Sequence, residues 1–373
     1  MSSDQTYVPM NDLSRGLARD YDELMVAAAS VFRSGYVIRG PHHKKFETSL
    51  GALIGVTEAI GLASGTDALE LAMKAAMPKG KSTVLTAANA GGYSSTAARR
   101  AGYSVIWADV DPISLCVTAD SVLARITDDV GVVVSTHLYG NLTDQTRLVN
   151  LCRSLGIRLV EDCAQAIGAN IEGKMAGTWG DVAAVSFYPT KNLGGVGDGG
   201  AVLTSNTELA ARVRQLSQYG WSRKYEVEVG GGVNSRLDEI QAAFLQARLP
   251  GLQAGNARRR GIVARYVEAA QAQDANVITI LPAIGEHHAA HLAVARTPQR
   301  ARIIELLRAA GVQTDIHFPV PDHFQPGFAQ TPGGEVELPE TELASREVFS
   351  LPCFPEMTES EIDQVCRAIS DLR

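Results

Sequence analysis

Between residues 59 and 204, short apolar runs recur between turn residues, at 84–86, 104–108, 132–136, 158–161, 183–187 and 201–204. Runs of this length, bounded by glycine and polar turn residues, predict buried strands. The intervening segments 67–76, 94–101 and 144–155 carry apolar residues three and four apart, the spacing of one helical face. Strands alternating with helices over short connections predict an α/β fold with a mostly parallel sheet, covered by helices on both faces. A sheet of that kind binds its ligands beyond the carboxyl ends of its strands.

The pattern changes after Gly232. Residues 234–249 form a strong amphipathic period closed by Pro250-Gly251, with further helical periods at 298–310 and 359–372 and short strands at 291–295 and 313–318. This predicts a large N-terminal domain over 1–245 and a smaller C-terminal α+β domain over 246–373.

Composition narrows the class. A chain of 373 residues that is 45% hydrophobic can bury a substantial core. The net charge is -7 and no basic cluster is longer than Arg258-Arg259-Arg260, which argues against nucleic acid but leaves an anionic small molecule open. The five cysteines are odd in number and lack CxxC spacing, as expected of reduced thiols in a cytoplasmic protein. The polar residues 1–16 hold no signal core, and no run reaches the roughly 18 apolar residues of a membrane span.

Lys191 is one of only eight lysines, and it follows an apolar strand and precedes Asn192-Leu193-Gly194-Gly195. Burial there lowers an amine's pKa and makes it a nucleophile toward an aldehyde, the use that pyridoxal phosphate (PLP) makes of lysine. A plain turn lysine fits the same position. Asp162 ends the preceding strand, where an anion would face a pyridinium nitrogen, although it also suits a helix N-cap. Alternation along that strand points Glu161 the other way. Ser64-Gly65-Thr66-Asp67 delivers small residues into a helix start, whose free N–H groups and dipole favour a phosphate.

Five motifs stand in order: Ser64-Gly65-Thr66-Asp67-Ala68-Leu69, Glu161-Asp162-Cys163-Ala164-Gln165, Ser186-Phe187-Tyr188-Pro189-Thr190-Lys191-Asn192, Gly197-Asp198-Gly199-Gly200, and the run from Asn234 to Ala243. Together they resemble the DegT/DnrJ/EryC1/StrS family of sugar aminotransferases, over nearly the whole chain. The resemblance implies the fold-type I PLP architecture, with pyridoxamine phosphate as the intermediate form of the cofactor. It implies that Lys191 tethers the cofactor and moves protons, that Asp162 faces the ring nitrogen, and that Gln165 lies by the phenolic oxygen. Gly65, Thr66 and Ser186 would hold the phosphate, and Asn234 would reach the cofactor of a second subunit, making the site composite in a homodimer. Tyr93, in Asn89-Ala90-Gly91-Gly92-Tyr93, would cover the ring. Tyr188 and His317 would border the substrate.

That asparagine-to-tyrosine variant, with Tyr219-Gly220-Trp221 and Lys224-Tyr225, resembles the subgroup that aminates C3 of nucleotide-linked keto-deoxysugars. Glutamate is the donor expected of such enzymes. A ketocyclitol, a C4 ketosugar or a non-catalytic PLP-binding regulator are the alternatives. Related dehydratases carry histidine where Lys191 stands. Other features have plainer readings. The glycine-rich 194–200 run leads into a strand, so it is a turn and not a dinucleotide loop. His42-His43 and His287-His288 lack metal-ligand spacing and are expected at the surface. His317 and His323 flank Pro319 and Pro321, with structural roles equally open.

Overall fold

Seven strands build the central sheet: β1 (Glu58–Leu62), β2 (Thr83–Ala87), β3 (Ser104–Ala108), β4 (Val130–Thr136), β5 (Arg158–Asp162), β6 (Val182–Ser186) and β7 (Gly200–Thr204). The structure is a computed structural model that describes residues 7–271, 277–329 and 336–372. The first six residues of the polar N-terminus therefore lie outside the described part. Strand order is β1-β7-β6-β5-β4-β2-β3, and only β7 runs against the others, pairing antiparallel with both β1 and β6.

Period-2 alternation sends each strand's side chains into two different cores. Val182, Ala184 and Val202 join Val84, Val132, Val134 and Val160 beneath the helices Gly65–Ala76 and Thr207–Leu216. Ala183, Val185, Ala201 and Leu203 pack on the opposite face with Phe46, Leu237 and Leu245. β4 is buried along its whole length, as a parallel strand covered on both faces must be. A further core gathers Val8 with apolar residues between 262 and 372, around β8 (Thr279–Ile280), β9 (Ala293–Arg296) and β10 (Val348–Leu351).

Several expectations are corrected. Residues 313–318 form no strand; single bridges tie Val312 to Val8 and Asp315 to Ser350, and Phe318 turns to φ 62°. The period at 234–249 becomes helix only over Glu239–Arg248. Its first residues stay extended because Asn234 bridges Gln218 while the Ser235 hydroxyl accepts from the Ala63 N–H and donates to Asp67. Glu239 opens the helix with a carboxylate turned outward from it, accepting the N–H groups of Gly40, His42 and His43 at the start of helix Pro41–Ile54. His43 and His288 are buried, not superficial: His43 fits beside Gly61, and His288 Nδ1 accepts from the Ala290 N–H at 2.9 Å.

Candidate active site

The carboxyl ends of β1, β4, β5 and β6 meet at one edge of the sheet, and the expected site residues gather there. Ser64 caps the helix Gly65–Ala76, its hydroxyl accepting from the Asp67 N–H at 3.1 Å. The first-turn N–H groups of such a helix have no intrahelical acceptor and point outward from its end. Ser186, at the end of β6, packs against this turn so closely that a Cβ on Gly65 would lie 2.6 Å from the Ser186 Cβ. Only a glycine lets the helix start and the serine hydroxyl converge.

Asp162 ends β5 and is buried. Its Oδ2 accepts from Ser94 Oγ at 3.4 Å and Thr136 Oγ1 at 3.3 Å, and its Oδ1 accepts from the Ala164 N–H at 3.1 Å. The neighbouring Glu161 faces the other side, as alternation requires. It accepts four hydrogen bonds, from the N–H groups of Gly177, Trp179 and Gly180 and from His137 Nε2. Burial opposes its ionisation, but those donors, His137 foremost, hold the carboxyl below its ordinary value. His137, Glu161 and Cys163 are the one metal-capable group among the described residues, and the four bonds already occupy the carboxylate.

Lys191 lies one strand beyond Asp162, in the turn after β6, its N–H donating to the Tyr188 carbonyl at 2.8 Å. Burial lowers its ammonium from 10.5 to about 8, against the opposing attraction of Asp162. Gln165 is buried, and its Oε1 accepts from the Tyr139 N–H at 2.6 Å. His317 is half-buried, with Nδ1 2.9 Å from Ser350 Oγ. Burial lowers its pKa, with Lys191 adding to the effect and Asp315 opposing it.

Tyr93 opens the helix Tyr93–Arg100 and stays 54% exposed, its ring edge-on to Phe318 at 6.0 Å. Phe318 also stacks on Tyr139 and rests on Gly91, where a Cβ would come within 2.3 Å of the phenyl ring. Tyr188 is exposed. Asn234 is exposed as well, one residue from the Ser235 side chain that ties to the Ser64–Asp67 turn of its own chain. A cavity of about 910 Å³ lies against the 189–197 turn and is bounded by Arg19, Arg248, Arg258 and Phe354; Lys191 lines it, but Asp162, Gln165 and Ser186 do not. Sequence reasoning missed Ser94 and Thr136, which hold Asp162, and Asn192 and His291, which flank the lysine; contacts between distant segments leave no local signal.

Residues 19–370 match the profile of the DegT/DnrJ/EryC1/StrS aminotransferase family. A dTDP-3-amino-3,4,6-trideoxy-alpha-D-glucose transaminase of Micromonospora megalomicea subsp. nigra is 37% identical over 95% of this chain and 96% of its own. A protein of Geobacillus stearothermophilus called a pleiotropic regulatory protein is 35% identical over 98% of both chains. Among solved structures, S. venezuelae DesV in complex with a ketimine intermediate superposes with a TM-score of 0.92 at 35% identity, again over 98% of both chains.

Proposed function

The chain belongs to the DegT/DnrJ/EryC1/StrS aminotransferase family, and from that premise we propose that it moves an amino group from L-glutamate to C3 of a nucleotide-linked keto-deoxysugar. Enzymes of the family are PLP-dependent transaminases, and the residues here suit that cofactor. The helix start at Gly65, with the Ser186 side chain packed against it, fits a phosphate. A buried carboxylate at Asp162 fits a protonated ring nitrogen, and a lysine with a pKa near 8 fits an aldehyde. When bound, the cofactor supplies that aldehyde and a ring that takes up the electron pair of a bond broken beside it.

The chain's own part follows from these positions. Gly65, Thr66 and Ser186 bind the phosphate, with Asn234 of a second copy completing the grip. Asp162, held by Ser94, Thr136 and Ala164, faces the ring nitrogen. Gln165 has its oxygen taken by Tyr139, so its Nε2 is the group left to donate to the phenolic oxygen. Tyr93 covers the ring face. Lys191 would anchor the cofactor; released by the donor's amine, it would carry the donor's α-proton as a neutral base to the former aldehyde carbon in the first half-reaction, and move a proton from that carbon to C3 of the sugar in the second. A pKa near 8 leaves an appreciable neutral fraction at pH 7.

The nucleotide and the dimer rest on surface features. In the hairpin Trp221–Arg223 and Glu226–Val227, Trp221 packs against both Tyr219 and Tyr225 beside Arg223 and Lys224, which suits a base and a diphosphate. Helices Leu13–Arg19 and Tyr21–Ser34 expose Leu13, Leu17, Tyr21, Met25, Val26 and Phe32, an apolar face that suits a second copy. Among the described residues no helix is long and apolar enough to cross a membrane, in keeping with the cytoplasmic role we propose.

One observation carries the reading: a partly buried lysine one strand from a buried aspartate, in a sheet whose helix start at Gly65 packs against Ser186. Borohydride reduction of the purified protein should fix the cofactor to Lys191, and Lys191→Ala should abolish amino transfer from glutamate. Full activity in that variant would sink the mechanism. Ketosugar nucleotides compared with ketocyclitols, scored for amino product, test the acceptor. The regulatory name of the Geobacillus relative favours a second reading, a PLP-binding protein without turnover. A protein that takes up the cofactor at Lys191 yet releases no keto acid from any donor would support it.

A further inference from the structure

Asn192 follows the lysine, and its side chain makes three hydrogen bonds. Nδ2 donates to the Ala289 carbonyl at 2.8 Å and to Asn256 Oδ1 at 2.7 Å. A backbone carbonyl can only accept, so the amide's orientation is fixed and Oδ1 is the atom facing His291 Nδ1, 2.9 Å away. That imidazole nitrogen therefore carries the proton. Burial, reinforced by the charges of Lys191, Arg259 and His317, holds the ring neutral, with its pKa well below the ordinary range. Its Nε2 is left with a bare lone pair.

The backbone of His291 is held as firmly. Its N–H donates to the Tyr139 carbonyl at 3.1 Å, and the Tyr139 N–H donates to Gln165 Oε1 at 2.6 Å. Its carbonyl accepts from the buried Arg259 guanidinium at 3.2 Å. An unbroken run of hydrogen bonds thus leads from Gln165 through Tyr139 and His291 to Asn192, the residue next to Lys191.

We propose that His291 is a positioning residue for the transfer reaction, which through Asn192 fixes the turn carrying Lys191 relative to Gln165. This rests on the reading of Lys191 as cofactor anchor and proton carrier. The histidine then has a task that a merely space-filling ring would not have, because it depends on one donor atom.

The test uses cofactor-loaded protein and reads the visible band of the bound cofactor, the rate at which borohydride fixes it to Lys191, and kcat and KM for glutamate separately. His291→Leu should shift the band, slow the trapping and lower kcat by up to about 10²-fold with KM for glutamate little changed, the cost of a slightly misplaced reacting group. His291→Asn, which keeps an N–H donor where Nδ1 stands, should restore most of both readouts. Asn192→Ser removes the same bond from the other side, together with those to Ala289 and Asn256, and serves if His291→Leu does not fold. Where both single variants fold, the double variant should lose no more than the worse one. Wild-type spectrum, trapping and kcat in His291→Leu, with only a lower Tm, would overturn the inference, as would an Asn variant no better than Leu. A wild-type protein in which borohydride fixes nothing to Lys191 would instead overturn the reading beneath it.

Discussion

Ser95 Oγ donates to Asp322 Oδ2 at 2.5 Å, joining residues 227 positions apart and docking the 317–328 segment onto the helix that starts at Tyr93. Asp322 is 1% exposed, and burial, opposed by the Ser95 hydroxyl, raises its carboxyl from 3.8 to about 6. A carboxyl raised in the folded state contributes its full stability below its unfolded value and loses it as pH rises through the folded one. The shift bounds the loss between pH 4 and 7 at about 3 kcal/mol. Asp322→Asn should therefore gain in Tm relative to the wild type as pH rises from 4 to 7. A difference in Tm that stays flat across that window would show that burial does not penalise the carboxylate.

Gly65→Ala should weaken cofactor binding far more than it weakens the fold. The new methyl must push Ser186 away from the helix start, since it would sit 2.6 Å from that residue's Cβ. A rise in the cofactor's Kd of at least about tenfold, or about 1.4 kcal/mol, is expected. Titration of the apo protein, followed by absorbance, measures it.

Asp162→Asn preserves the side chain's size but removes the negative charge. Transamination should fall on the order of 10²-fold in kcat, as when one preorganised electrostatic group is lost. The apo protein's urea midpoint should move little, because Ser94 and Thr136 can rotate their hydroxyls to suit an amide. Equal losses in stability and activity would mean that Asp162 acts only as a structural acceptor.

Glu161→Gln should behave in the opposite way. Both carboxylate oxygens accept, and the amide would turn one of them into a donor facing donors. Removing one partner of a buried charged cluster costs roughly 3–5 kcal/mol, readable as a lower denaturant midpoint with unchanged slope. Activity of the protein that remains folded should be close to wild type.

The chain announced those parts of the candidate site that local pattern controls. Gly65 is legible because a helix start has a compositional signature, and Asp162 because a strand end does. Family motifs supplied Gln165 and Ser186. The 313–318 segment misled because Ile316 and Phe318 alternate like a strand, while the left-handed turn at Phe318 and two nearby prolines, which lack an N–H, prevent a ladder. His288 misled because an adjacent histidine pair reads as polar surface, yet the second ring is buried with its pKa lowered to about 3 by desolvation. The Asn192–His291 bond spans 99 positions and leaves no trace in any window of sequence.

The helix start proposed to hold the phosphate is also a late product of synthesis. Gly200 lies directly beneath the Ser64 carbonyl, where a Cβ would come within 2.4 Å, and the Ser235 hydroxyl bridges Ala63 and Asp67. The turn at Ser64 is therefore supported by chain that leaves the ribosome well over a hundred residues later. Contacts so distant in sequence close slowly, after local helices have formed. If Gly65 and Ser186 hold the phosphate as proposed, cofactor uptake by the growing polypeptide waits for that closure, and the moment of uptake marks the completion of the large sheet.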